Sequence, residues 1–179
     1  QACIFAAMDR LGMAQYISRI GLILDGNTGE SLQQAKHAWL NDETWQPLRK
    51  LCEQSLTEQD WFKLYILQNL LIDSMLQELV FGQLDEWRVE NGGRDIAILT
   101  EFMKDCLTDL AKWSDSVLKT AISESEDNKT LIQSWITELL PQVKQAFSAW
   151  AQTALTDSGI DSGLNKISER SKKTGNILL

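Results

Sequence analysis

Asp95-Ile96-Ala97-Ile98-Leu99-Thr100-Glu101-Phe102-Met103-Lys104-Asp105-Cys106-Leu107-Thr108-Asp109-Leu110-Ala111-Lys112-Trp113-Ser114-Asp115-Ser116-Val117 is the stretch that decides the fold. Within it Ile96, Leu99, Met103, Cys106, Leu110, Trp113 and Val117 alternate steps of three and four. That spacing lines one side of an α-helix and makes a coiled-coil-like seam on a long rod. Asn91-Gly92-Gly93 before it reads as a loop, and Ser123 to Asp127 after it as a polar break. The rod is predicted over residues 95–122.

The flanking segments repeat the pattern. Ile132, Ile136, Leu139, Val143, Phe147 and Trp150 predict a helix over 128–154, which Pro141 should kink. Residues 57–81 are apolar nearly all round, from Trp61 and Phe62 through Leu70 and Leu71 to Met75 and Leu79. A helix with no polar side must be enclosed by others. Thr57 is its expected cap and Gly82 its expected end. A first helix is predicted over 3–24, with Ile4, Met8, Leu11 and Ile20 at roughly helical spacing. Asp25-Gly26-Asn27-Thr28-Gly29 ends it as a turn cluster. Short helices follow over 30–40, with Ser31 as possible cap, and over 44–54, with Pro47 in the first turn. These segments make an all-α bundle of long helices. We expect a helical domain over residues 1–155 and a polar C-terminal tail over 156–179. The chain opens at Gln1 already in helical register, which reads as an excerpt of a longer subunit.

Composition narrows the function. Lys and Arg number 17 against 25 Asp and Glu, a net charge of −8, so a phosphate backbone would be repelled over most of the surface. The basic residues Arg170, Lys172 and Lys173 read as part of a solvated tail, and no nucleic-acid partner is expected. The most apolar stretch, Trp61 to Phe81, is interrupted by Lys63, Asp73 and Glu78, so it reads as a core helix and no membrane partner is expected. Cys3, Cys52 and Cys106 are odd in number and far apart. They read as buried free thiols in a reducing compartment, the cytoplasm.

The search for chemistry finds little. His37 is the only histidine, so any Ser-His-Asp or Cys-His arrangement would need it. It lies beside Lys36 on a short helix and reads as a surface or boundary residue. No phosphate-binding glycine motif occurs. A di-iron centre in a helical bundle takes lone Glu residues plus two Glu-x-x-His pairs, whose three-residue step puts both ligands on one face. No Glu-x-x-His exists here, and the nearest imitation is Gln34-x-x-His37. We therefore expect no catalytic, cofactor-binding or metal-binding residues in this chain. Asp60, Asp73, Asp105 and Asp109 lie on the long helices. Asp73 reads either as a vestigial ligand or proton relay, or as a buried carboxylate bonded to a neighbouring helix or an arginine. Seven Trp residues are many for this length. Trp113 fits core packing, whereas Trp39 and Trp87 are candidates for subunit contact.

Several runs carry a resemblance. Ala7-Met8-Asp9-Arg10-Leu11-Gly12-Met13-Ala14-Gln15-Tyr16, Arg19-Ile20-Gly21-Leu22, Gln34-Ala35-Lys36, Ala38-Trp39-Leu40, Gln59-Asp60-Trp61-Phe62 and Leu99-Thr100-Glu101-Phe102-Met103-Lys104-Asp105 resemble the β-subunit of bacterial multicomponent phenol hydroxylases. The likeness covers about residues 1–155. It implies a ferritin-like long-helix bundle with the metal site absent, serving as the non-catalytic partner of an α-subunit. That α-subunit would carry the di-iron centre and hydroxylate phenols with O₂. The other implied partners are a γ-subunit, a second αβγ protomer, an effector protein, and a reductase using NADH with flavin and an iron–sulfur centre. The resemblance also sets Leu110 where the α-subunit motif has Glu, and Trp113 where it has His, as though apolar side chains had filled a duplicated metal site. Toluene, alkene and methane monooxygenases have similar β-subunits. Two other classes compete: a free-standing helical interaction module, and a ferritin-like metalloenzyme acting alone.

Overall fold

Every described residue with regular structure is helical in the computed structural model, which describes residues 2–155, 159–175 and 177. Helix α1 is Ala2–Leu24, α2 Glu30–Asn41 and α3 Gln46–Ser55. Helix α4 runs unbroken over residues 61–90, α5 is Arg94–Glu124, α6 Glu126–Ala154 and α7 Gly159–Gly175. The all-α bundle read from the sequence is therefore what the chain forms.

The chain divides into two compact units, residues 1–46 and 47–179. In the first, α1 packs on α2. The turn between them is fixed by backbone geometry: Gly26, Asn27 and Gly29 all have positive φ. Asp25 takes the capping role expected of Ser31, its carboxylate accepting from the Ser31 amide at 2.9 Å and the Thr28 amide at 3.2 Å. On α1 the buried apolar residues are Ala6, Met13 and Ile20, seven apart, while Ile4, Met8 and Leu11 are exposed.

The second unit centres on α4, buried on nearly every side as its composition requires. Its start differs from expectation: Asp60, not Thr57, is the cap, its side chain accepting from the amides of Phe62 and Lys63. Its end differs too. Gly82 does not stop it, because two widened π-helical turns, Leu67–Ile72 and Leu79–Leu84, let the rod continue to Glu90. The loop at Asn91-Gly92-Gly93 is where it stops, with Gly92 at φ 86.

The α5 seam is also displaced. The residues buried on α5 are Thr100, Met103, Leu107, Ser114, Leu118 and Ile122. Of the predicted seam only Met103 lies on that line, and Leu99 stays 42% exposed. On α6 all six predicted residues are buried, and the helix runs on through Pro141.

The supposed polar tail is the largest departure. Helix α7 packs against α4, α5 and α6, and buries Gly163, Ile167, Arg170, Ser171 and Thr174. Gly163 permits the close approach: an added Cβ would sit 2.6 Å from Met75 Sδ on α4. Asp157, in the region first read as tail, lies outside the described residues.

Candidate functional site

The most heavily bonded polar group described is the Arg170 guanidinium, only 7% exposed, at the meeting of α4, α5 and α7. Arginine has five N–H donors in a rigid fork. Here all five have acceptors. Nε donates to Asp115 Oδ1 at 3.1 Å. Nη1 donates to the Asn69 carbonyl at 2.9 Å and to Ser74 Oγ at 2.7 Å. Nη2 donates to Asp115 Oδ1 at 2.6 Å and to Ser114 Oγ at 2.8 Å. The two hydroxyls pass their own protons to the carbonyls of Leu70 and Ala111. A buried charge is tolerable only when paired and fully bonded. The cluster meets that condition, so Arg170 is a structural cation and no part of a solvated basic tail. Sequence reasoning missed it; the small polar residues Ser74 and Ser114, at positions buried in the bundle, were its trace.

The residues singled out for chemistry do not converge. His37 and Gln34 are exposed on α2. Asp60 is spent on capping. Asp109 is exposed and pairs with Lys112 at 2.9 Å. Asp105 is exposed. Asp73 is 5% exposed and accepts from Gln68 Nε2 at 2.8 Å, on its own helix. Cys3 and Cys52 are exposed and Cys106 half-buried, so the buried-thiol reading does not hold. The Cys52 thiol is nonetheless pushed up by partial desolvation of the sulfur and by the Glu53 carboxylate. Among the described residues, no group of three or more His, Cys, Asp or Glu side chains is placed to hold a metal ion. A di-iron centre needs two imidazoles and several carboxylates facing one cavity, and this donor set does not fit one. Leu110 and Trp113 are both half-buried, and the Trp113 ring meets Tyr65 edge-on at 5.5 Å between centroids.

Two surfaces in the second unit are open. A groove of about 620 Å³ is lined by Trp61, Phe62, Val117, Leu131, Ile132 and Trp135, with Asp60, Glu124 and Asn128 beside them. Near the α4–α5 turn, Trp87 is 54% exposed, and Val89, Ile98 and Phe102 are exposed with it. Trp39, the other candidate for subunit contact, is half-buried against Trp45 at 6.5 Å. No helix among the described residues is long and apolar enough to cross a membrane.

A bundle of long helices, with a fully bonded arginine in the core and apolar surface left open, defines a helical component whose described residues gather no metal-holding group. Residues 1–125 match the methane/phenol/alkene hydroxylase family, and the chain belongs to it. It is 61% identical, over 98% of its length, to the phenol 2-monooxygenase oxygenase component MhpL of Acinetobacter pittii (strain PHEA-2). It is 43% identical over the same share to the phenol 2-monooxygenase oxygenase component DmpL of Pseudomonas sp. (strain CF600). The β-subunit of the toluene-4-monooxygenase hydroxylase of Ectopseudomonas mendocina is 28% identical over 74% of the chain. A crystal structure of xenon-pressurised phenol hydroxylase from Pseudomonas sp. OX1 superposes with a TM-score of 0.92 at 41% identity. That match covers 96% of this chain and 52% of the solved one. The chain spans about half the length of the phenol 2-monooxygenase relatives, 53% of each.

Proposed function

We propose that this chain is a structural, non-catalytic component of a multicomponent phenol hydroxylase, paired with a larger subunit that carries the di-iron centre. The observation that carries the reading is the donor set. The chain has one histidine, exposed on α2, while Leu110 and Trp113 occupy the positions that the family resemblance assigns to iron ligands. Its relatives named as oxygenase components supply the context. Holding oriented metal ligands in a partner requires rigid helices behind them, and a large apolar interface supplies that rigidity. The open surface around Trp87 suits such a contact. The reading extends to the γ-subunit, the second protomer, the effector protein and the NADH-dependent reductase as members of the same assembly. A phenol hydroxylase is preferred over a toluene monooxygenase because the phenol relatives share 61% and 43% identity and the toluene relative 28%.

The test is reconstitution with the larger hydroxylase subunit, followed by iron content and turnover per assembled complex. Iron is expected to track the larger subunit only. Asp73→Asn is expected to leave turnover intact, because an asparagine oxygen can still accept from Gln68. An Asp73→Asn complex that assembles, keeps its iron and loses turnover would overturn the non-catalytic role.

A further inference from the structure

We propose that Arg170 locks helix α4 in its widened register at residues 67–72, so that the docking of α7 and the phase of α4 are one coupled element. In an α-helix the Asp73 amide would donate to the carbonyl four residues back, that of Asn69. Here it donates to Gln68, five back. The Asn69 carbonyl instead accepts from Arg170 Nη1 at 2.9 Å, across 101 residues of sequence. The same nitrogen bonds Ser74 Oγ, which donates to the Leu70 carbonyl at 2.6 Å. The adjacent carbonyls of Asn69 and Leu70, inside the widened turn, are thus tied to α7, the first directly and the second through Ser74. The other end of the guanidinium is fixed by Asp115 and Ser114 on α5, so the lock cannot slide along the groove.

The extra residue in the turn changes what α4 presents. One residue is worth about 100° of rotation on a helix. It turns Trp61 to Ile66 relative to Asp73 to Glu78. Tyr65 then meets the Trp113 ring on α5 while Met75 lies under Gly163 of α7. Without the widened turn those two contacts fall out of phase. Arg170 is therefore a positioning residue: it acts through α4 on the face that carries Tyr65, Phe62 and Trp61. Four-step hydrogen bonding is the better-populated alternative for any helix, and π-turns persist where something external satisfies the displaced carbonyl.

The experiment compares hydrogen exchange in peptides covering 67–79 with peptides covering 132–150 of α6, in the full chain. In Arg170→Met the first set is expected to exchange at least tenfold faster while the second stays near the unmodified protein. In Arg170→Lys, which keeps the charge but cannot reach Asn69, Ser74 and Asp115 together, the same segment is expected to loosen to a lesser degree. Equal acceleration in both sets means a general loss of stability, and unchanged rates mean no lock; either result overturns the proposal. A second variant combines Arg170→Met, Asp115→Leu, Ser114→Ala and Ser74→Ala, which leaves no buried charge unpaired. Its crystal structure should show the Asp73 amide returned to the Asn69 carbonyl. Retention of the Asp73–Gln68 bond there overturns the proposal. So does failure of both variants to fold, because a local lock leaves the rest of the bundle able to form.

Discussion

Gly163→Ala sets two effects of known sign against each other. Glycine inside a helix is about 1 kcal/mol worse than alanine, so an unobstructed replacement stabilises. At Gly163 the new Cβ would stand 2.6 Å from Met75 Sδ and 3.3 Å from Met75 Cε. Ordinary contact needs about 3.5–4 Å, so the sulfur must retreat by about 1 Å. Met75 is fully buried, with Leu79 equally buried one turn on, so it cannot swing into solvent. Overpacking of this kind costs about 1–3 kcal/mol. The clash outweighs the propensity gain, and Gly163→Ala should lose about 1 kcal/mol net. Gly163→Val gains less propensity and adds two methyl groups, so its loss should approach about 3 kcal/mol. With a urea slope of about 2 kcal/mol per molar, the midpoints fall by about 0.5 M and about 1.5 M. Pairing Gly163→Ala with Met75→Ala should recover about 1 kcal/mol of coupling, because the obstructing atoms are gone. Gly12 on α1 is the control, since nothing lies within 4 Å of its Cβ position and Gly12→Ala should strengthen that helix. A midpoint that rises for Gly163→Ala would refute the close approach of α7 to α4.

Trp87→Ala should leave the unfolding free energy within about 0.5 kcal/mol of the unmodified chain, as exposed positions do, yet weaken binding to the larger hydroxylase subunit in titration calorimetry; equal affinity would remove Trp87 from the interface. Glu58 accepts the amides of Gln59 and Asp60 and faces Lys63, which holds its carboxyl below the ordinary 4.5. A lowered folded value means the contribution is present above the ordinary value and lost as pH falls through the lowered one. Glu58→Gln should therefore flatten the stability profile between pH 5 and pH 3 by roughly one titrating group, and an unchanged slope counts against the assignment. Cys52 should alkylate slowly at neutral pH, with a rate that reaches its half-maximum above the ordinary thiol range near about 8.5; a half-maximal rate at or below that pH would show a thiol that is not raised.

Much of this architecture could be read from residue order, and the misreadings of α5 and α7 share one cause. The α6 residues Ile132 to Trp150 were legible because a single apolar line coincides with the buried one. On α5 the buried line contains Thr100 and Ser114, which a search for apolar spacing passes over. Leu99 and Trp113 then draw the seam about one residue off. The same polar cluster hid α7. Gly163, Ser171 and Thr174 look like tail composition, yet small side chains are what a closely packed helix needs, and Arg170 is buried because Asp115 and the acceptors on Asn69, Ser74 and Ser114 meet it. Gly82 misled because a widened turn absorbs a residue that would otherwise end a helix. The absence of Glu-x-x-His was plain from the sequence. The arginine-centred cluster was not, because Asn69, Ser74, Asp115 and Arg170 are brought together only by folding.

Ser125 alone joins α5 to α6, in extended backbone, with its Oγ accepting from the Asn128 amide. Contacts of that hairpin can zip outward from the Ser125 turn, starting with residues close along the chain, and such contacts form soonest because little loop entropy opposes them. The bonds from Arg170 to Asn69 and Asp115 close loops of 101 and 55 residues. The hairpin is therefore expected in the folding transition state and α7 outside it. Interactions absent from the transition state govern the rate of unfolding. Stopped-flow chevrons should accordingly place most of the effect of Gly163→Val on the unfolding limb, and a slowed folding limb with unchanged unfolding would reverse that order. The last helix is then what sets how long the folded chain survives.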